Sequence, residues 1–157
     1  AAGATGVSIV QVTAVKPELT NNMLKSAFRD TLIADTEVFK SHAKRYYLAD
    51  GKFEADANKF DKIYMVTSDR RVAELVQLVS KTLKEAASSD EPPADVMVTP
   101  LATGNKDYIE WVKKATLPKE ETDFYKENPE EAQKPAKKTK GSKTPSEDTS
   151  ADSDSTE

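Results

Sequence analysis

The sequence contains no cysteine. Disulfide bonds, thiolate nucleophiles, and zinc or iron–sulfur sites built on thiolates are therefore excluded. Histidine is almost absent too, since His42 is the only one. Because no partner ligand stands near it in the sequence, we interpret His42 as a surface residue of a strand and not as a metal ligand.

Glycine is scarce, with five residues, and none of them belongs to a glycine-rich phosphate loop. This argues against P-loop and dinucleotide-binding folds. The G-x-S-x-G elbow of a nucleophilic serine is also missing. Glu54 and Asp56 are a pair of carboxylates, but at alternate strand positions beside a turn they indicate an exposed charged face. No set of residues predicts catalysis, and we interpret the protein as a non-enzyme.

No apolar run approaches the roughly 20 residues of a membrane span. The small residues 1–6 lack the basic and apolar regions of a signal peptide, so we expect a flexible N-terminus and no membrane insertion. The compartment stays open between cytoplasm and organelle.

Residues 1–118 hold equal numbers of basic and acidic residues. This balance argues against a nucleic-acid-binding platform.

The composition divides the chain into a domain at 7–118 and a charged tail at 119–157. The tail contains seven lysines, no arginine and eleven acidic residues, so it carries the whole net charge of −4. Its few apolar residues cannot offset the entropy of ordering, and we predict disorder beyond about Tyr125, with packing on the domain left open for the residues just after Pro118. A basic block, residues 134–143, precedes an acidic end. We interpret the tail as a solubilising extension or as a docking element for protein partners.

The domain reads as strand, helix, strand, strand, helix, strand and short helix. Asp50-Gly51 predicts a type I′ turn between two long hairpin arms. Val72 to Ala86 has the cleanest helical periodicity of the chain. The order βαββαβ predicts a ferredoxin-like α+β fold with both long helices on one face of a four-stranded antiparallel sheet.

A domain of this size has too few elements to cover its sheet. The second face has only one short helix to shield it, and long hairpin arms leave unpaired backbone groups. Closed oligomers hide such surfaces. We therefore expect a homo-oligomer.

The segment Gly104 to Trp111, GNKDYIEW, follows a short apolar strand. Gly104 is expected to permit the turn, Asn105 to cap the next helix and Asp107 to favour its positive end. The segment is similar to the G-N-x-D-Y-x-x-W segment of the CutA family of divalent-cation tolerance proteins. The turn around Asp50-Gly51 and the strand ending near Arg70 also resemble this family. The resemblance covers residues 9–113, and it implies a homotrimer with a role in metal tolerance or in holding partner proteins.

Two departures from the family concern its proposed copper ligands. Where the family often has a cysteine after the first helix, this chain has Ala34-Asp35-Thr36. Where the family tends to have a histidine after the second helix, this chain has Ser88 to Pro93. Copper binding is therefore disfavoured, no cofactor is predicted, and a hard divalent cation is the metal that remains.

Two groups of candidate site residues follow. Asp90, Glu91 and Asp95 offer oxygen ligands to a hard cation, but their spacing matches no EF-hand, and we favour the interpretation as a solvated acidic loop. Four aromatic residues are candidates for the subunit interface or for an intrachain core, because aromatic rings with a polar tip are favoured at interfaces: Tyr47, Tyr64, Tyr108 and Trp111.

Two other classes of function remain open. One is a small-ligand sensor like the PII signalling proteins, which would bind its ligand at subunit clefts. The other is a structural subunit of a larger assembly.

Overall fold

A computed structural model describes residues 4–14, 16–87 and 93–127. In chain order the elements are β1 (Val7–Ala14), α1 (Glu18–Arg29), β2 (Asp35–Ala49), β3 (Lys52–Ser68), a 3-10 turn (Asp69–Arg71), α2 (Val72–Ala86), β4 (Val96–Pro100), α3 (Lys106–Ala115) and α4 (Lys119–Glu127).

The strands form one sheet in the order β2-β3-β1-β4, and every pairing is antiparallel. β1 is therefore central, and β3, the more apolar hairpin arm, lies beside it as expected. The predicted α+β class and antiparallel sheet are confirmed. None of the helices in these three segments is long and apolar enough to cross a membrane.

The main core lies between one face of the sheet and the helices α1 and α2. Alternate residues of β1 point into it, as the period of two along a strand requires. The buried side chains of this cluster come from β1, β3, both helices and the loop after α1: Val10, Val12, Ala14, Met23, Ala27, Leu32, Ile33, Ile63, Met65, Leu75, Val79 and Leu83. The predicted apolar stripe of α2 is confirmed.

A second, smaller core lies at one end of the opposite sheet face. Ile109 and Val112 of α3 pack there against Val7 of β1. The spacing of Tyr108, Trp111, Val112 and Ala115 predicts an apolar stripe, but Trp111 and Ala115 point to solvent, so the buried stripe of α3 is a different one. α3 covers only this end of the face.

The β2–β3 hairpin extends well beyond the rest of the sheet. β1 pairs with β3 only as far as Asp61, whereas the two hairpin arms pair continuously from Asp35↔Val66 to Ala49↔Lys52. Residues 41–60, called the ribbon below, are therefore a two-stranded projection. Asp50 and Gly51 have φ of 50° and 73°, as a type I′ turn requires, so the predicted turn is confirmed.

The base of the ribbon is held by a buried carboxylate. Asp61 accepts a hydrogen bond from Thr20 Oγ1 of α1 at 2.7 Å, and Lys40 Nζ of β2 lies 3.2 Å from each carboxylate oxygen. The Asp61 side chain is 1% exposed. These contacts connect the hairpin to the helical layer.

Three predictions about local structure are corrected. Gly104 does not have a positive φ. A Cβ at this position would lie 3.2 Å from Ile109 Cδ1, so the close approach of Ile109 is the reason that glycine suits this position. Asn105 stands at the N-cap of α3 without a side-chain capping bond. Ser68 or Asp69, small polar residues before α2, would be expected to cap this helix, but α2 has no side-chain cap bond and Asp69 instead accepts a hydrogen bond from Ser8 Oγ at 2.6 Å.

Contacts at both ends of the domain extend beyond residues 7–118. Thr5 Oγ1 donates to the Leu101 carbonyl at 2.8 Å, so the expected flexible N-terminus does not extend to residue 6. At the other end α4 extends from Lys119 to Glu127, inside the predicted tail but mostly before Tyr125, near which the predicted disorder begins. Glu121 of α4 forms an ion pair with Arg70, a tertiary contact that composition does not reveal. Residues 128–157, the rest of the predicted tail, lie outside the described residues.

Candidate functional site: an open sheet face

The sheet face opposite α1 and α2 is covered by α3 at one end only, where Val66 packs against the smaller core. The strand register places on this side Ile9 and Gln11 of β1, Phe39 of β2, Tyr64 and Val66 of β3, and Met97 of β4. We call this set the open face. Phe39 and Met97 are about half exposed, at 52% and 48%. An apolar surface of this kind on one side of a sheet is typical of an interaction site.

A cavity of about 350 Å³ opens on this face. Its apolar walls include Phe39 and Tyr64, whose rings meet edge to face with centroids 5.5 Å apart. Its lining is Ile9, Asp35, Thr36, Glu37, Phe39, Tyr64, Val66 and Tyr108. The cavity therefore combines an aromatic wall with a rim that carries two carboxylates.

Tyr108 joins α3 to the rim of the cavity. Its hydroxyl donates to Asp35 Oδ2 at 3.0 Å. Burial, this hydrogen bond and the negative charges of Asp35 and Glu37 raise the pKa of Tyr108 to about 12. The hydroxyl stays protonated at neutral pH and holds one carboxylate of the rim in place.

Trp111 lies next to Tyr108 on the exposed side of α3. The two rings are tilted with centroids 5.7 Å apart, and Trp111 is 49% exposed. The structure thus brings three of the four predicted interface residues together, because Tyr64 and Tyr108 line the same cavity and Trp111 contacts Tyr108. Trp111 does not fill the core of its own chain.

Tyr47, the fourth candidate, lies apart on the ribbon. Its hydroxyl donates to Asp56 Oδ2 at 2.8 Å, and this hydrogen bond raises the pKa of Tyr47. Arg45 stacks over its ring at 5.6 Å. Tyr47 therefore stabilises the pairing of the two arms of the ribbon.

The ribbon carries an apolar cluster that the sequence analysis missed. Tyr46 and Phe53 stack with ring centroids 5.5 Å apart, and Leu48 pairs with Phe53 across the strands. They are 57%, 69% and 75% exposed, in the order Tyr46, Phe53, Leu48. Tyr46 and Leu48 are two residues apart, so they lie on the same side of a strand, and this spacing in the sequence could have indicated the cluster. We call these three residues the ribbon cluster.

The predicted metal ligands do not form a site among the described residues. Asp90 and Glu91 lie outside them. Asp95 accepts hydrogen bonds from the Thr13 amide at 2.9 Å and from Thr13 Oγ1 at 2.7 Å, so both of its oxygens are engaged. In the part of the chain that the structure describes, no group of three or more His, Cys, Asp and Glu could hold a metal ion.

His42 is exposed on β2, opposite Lys59 of β3. Its place on the surface of a strand agrees with the interpretation from the sequence. Glu54, one of the paired carboxylates considered above, is likewise exposed near the turn of the ribbon.

Comparison with known proteins supports one fold. No family model and no curated protein matches the chain. Among solved structures, CutA1 from Oryza sativa aligns with 22% sequence identity and a TM-score of 0.58, covering 71% of this chain and 94% of the other. The chain has the CutA fold.

Other structures with the CutA fold agree. The divalent ion tolerance protein CutA1 of Ehrlichia chaffeensis is 15% identical and has a TM-score of 0.59. The alignment covers 71% of this chain and 96% of that protein. The periplasmic divalent cation tolerance protein CutA of Archaeoglobus fulgidus is 18% identical with a TM-score of 0.58, covering 71% of this chain and 99% of the other. This chain therefore contains nearly a whole CutA fold together with segments that the fold does not require.

Proposed function

We propose that this chain is a CutA-like protein with the ferredoxin-like topology that assembles as a homotrimer. In this proposal it acts without catalysing a reaction, as a scaffold or partner-binding protein in the tolerance of, or response to, divalent metal ions. The strand order β2-β3-β1-β4 and the two helices on one face support the topology. The metal-related role is supported by the divalent ion tolerance proteins that share the fold.

The open face is the observation that carries the assembly. Phe39, Met97 and the neighbouring Trp111 are each about half exposed on one side of the molecule. Burial of apolar surface stabilises by about 25 cal/mol per Å². A second copy that covers these side chains would gain this free energy, whereas the separate chain leaves them in water.

The ribbon supports the same proposal independently. A two-stranded hairpin without further strands is marginally stable in water. This one also exposes the ribbon cluster of Tyr46, Leu48 and Phe53. We infer that the ribbon packs against a neighbouring copy. The number of three subunits comes from the resemblance to CutA.

The metal part of the proposal concerns hard cations. With no cysteine and one histidine, the chain offers oxygen ligands in place of the soft and imidazole donors that copper prefers. We propose that any divalent ion that the trimer responds to is held through carboxylates, and that copper is not preferred.

Native mass spectrometry of the full chain tests the assembly and the metal response together. The expected spectrum is that of a trimer, with and without added Mg²⁺, Ca²⁺ or Cu²⁺. The metal arm is expected to show any bound ion as Mg²⁺ or Ca²⁺ and not as Cu²⁺. A monomer that persists at concentrations of several hundred micromolar would refute the assembly, and stoichiometric Cu²⁺ would refute the metal preference.

The tail is proposed to recruit protein partners, and three tails on one trimer would raise the effective concentration for a multivalent partner. Because α4 extends from Lys119 to Glu127, a deletion that tests the tail should begin at residue 128 and keep the Arg70–Glu121 ion pair. Capture from a lysate should lose partners with this shortened chain. Retention of every partner would remove the docking role.

A further inference from the structure

We propose that a groove beside α4 binds a short peptide with a free amino end, a free carboxyl end and an apolar side chain. The groove has a volume of about 660 Å³, which lies in the range of small-ligand sites. It opens between the first turn of α4 and the face of α2 that carries Gln77 and Lys81, and Asp30 at the end of α1 also lines it. We call it the α4 groove.

The α4 groove lies on the side of the sheet away from the open face. One of its walls is α2, which belongs to the helical layer on the other side of the sheet. A trimer that buries the open face does not use this surface, so the inference goes beyond the proposed function and is compatible with it. α4 also begins after residue 113, where the resemblance to CutA ends, so the groove is an addition to that fold.

The charged residues that line the groove are three cations and three carboxylates, and four of the six form pairs with each other. Arg71 Nη1 lies 2.9 Å from Glu74 Oε1. Lys119 Nζ lies 3.7 Å from Asp30 Oδ1. Because these two pairs compensate their own charges, the groove as a whole favours neither a simple anion nor a simple cation.

One charge of each sign remains for a ligand. Lys81 is 74% exposed, and the carboxylate paired with it, in Glu85, is 4.0 Å away, beyond hydrogen-bond distance and outside the lining of the groove. Glu120 is exposed and forms no ion pair with another described residue. A zwitterion can place its carboxylate at Lys81 and its ammonium at Glu120, and both contacts would be charge-assisted hydrogen bonds.

The other lining residues suit the body of a peptide. Gln77 is exposed and carries both a donor and an acceptor, which are the groups that a peptide unit needs as partners. Leu78 and Pro118 are half-buried, so their remaining apolar surface is available to an apolar side chain of the ligand. A short peptide therefore matches the charged, polar and apolar parts of the groove together.

Isothermal titration of the full chain with three forms of one dipeptide tests the proposal. The probes are Leu-Leu, its N-acetyl form, which lacks the ammonium, and its C-terminal amide, which lacks the carboxylate. We expect Leu-Leu to bind at least about threefold more tightly than either blocked form, because each block removes one charged contact at an exposed site.

Two variants assign the ends of the peptide. Lys81→Gln should weaken Leu-Leu to the level of the amide and leave binding of the amide unchanged. Glu120→Gln should weaken Leu-Leu to the level of the N-acetyl form and leave binding of that form unchanged. The matched controls are Lys84→Gln and Glu127→Gln, exposed residues of the same two helices outside the lining, and they should leave all three affinities unchanged.

Circular dichroism verifies the fold of each variant, and if a variant is unfolded the three probes on the unchanged chain decide the matter. A chain shortened after Glu127 keeps the groove and should bind Leu-Leu with the same affinity. Tighter binding by the shortened chain would show that the tail occupies the groove, and it would overturn a free peptide as the ligand. Equal affinity for the three probes, no binding of Leu-Leu, or the same loss in Lys84→Gln as in Lys81→Gln would also overturn the proposal.

Discussion

Replacement of Trp111 by alanine offers a quantitative test of the assembly. Trp111 is 49% exposed beside the open face. Aromatic side chains bury roughly 150–250 Å² each, so the exposed half leaves about 75–120 Å² for a partner to cover. At about 25 cal/mol per Å² this corresponds to roughly 2–3 kcal/mol per subunit.

The symmetry of a trimer multiplies this effect. Three copies lose the contact together, so the assembly should become less favourable by about 6–9 kcal/mol. Each step of roughly 1.4 kcal/mol is a tenfold change in the equilibrium constant of assembly. Because the midpoint concentration of a trimer varies with the square root of that constant, it should rise by about a hundred- to a thousandfold. Loss of the contact with Tyr108 should cost the separate chain only about 1 kcal/mol of stability.

Sedimentation velocity over a concentration series measures the midpoint, and circular dichroism verifies the fold. Phe28→Ala is the matched control, because Phe28 is 46% exposed on α1, in the helical layer on the opposite side of the sheet. It should leave the midpoint unchanged. A Trp111→Ala protein that assembles at the wild-type concentration would show that this surface is not the subunit contact. An equal shift in both variants would show that the effect is not specific to the open face.

Three further predictions concern single residues. Thr20→Val removes the hydrogen bond to buried Asp61 and should lower the free energy of unfolding by about 2 kcal/mol in urea denaturation; a loss below about 0.5 kcal/mol would contradict the role of this contact. The pKa of Tyr108 is raised to about 12 in the folded chain from an ordinary value near 10. The stability that the Tyr108 hydroxyl contributes is therefore complete below pH 10 and is lost as the pH rises towards 12. Tyr108→Phe should flatten this part of the curve of unfolding free energy against pH; an unchanged slope would show that the hydroxyl titrates normally. Gly104→Ala places a Cβ 3.2 Å from Ile109 Cδ1 and should lower stability by about 1 kcal/mol, measured by thermal unfolding, with recovery when Ile109 is also changed to valine; a neutral Gly104→Ala would mean that Ile109 moves without cost.

The elements that the sequence predicted well are those with a strong local pattern. The stripe of α2 has regular helical spacing, and its buried members Leu75, Val79 and Leu83 face the sheet. The turn at Asp50-Gly51 follows from the need for positive φ at both positions. In both cases the same residues satisfy the local geometry and the tertiary packing.

The elements that were missed depend on contacts between distant parts of the chain. α4 has a polar sequence that indicates disorder, and Glu121 meets Arg70 from a different part of the fold. Gly104 has its role because Ile109 folds back on it, which no turn rule describes. Asn105 had a suitable side chain for a cap, but it makes no side-chain cap bond.

The candidate site was only partly predictable for the same reason. Tyr64 and Tyr108 were chosen as aromatic residues with polar tips, and the fold brings them to one cavity. Asp35 and Glu37 were not chosen, because at the start of a strand they indicate an ordinary charged surface. Only the packing of α3 across the end of the sheet brings the Tyr108 hydroxyl to Asp35.

The central place of β1 has a consequence for synthesis on the ribosome. Val7 pairs with Ser68, and Ser8 pairs with Pro100, so β1 is synthesised well before either of its sheet partners. Pairings this far apart in the sequence fold slowly and leave apolar segments open to aggregation. We expect β1 of the nascent chain to remain unpaired until β3 appears, and a ribosome stalled before residue 68 to display β1 as a protease-sensitive segment.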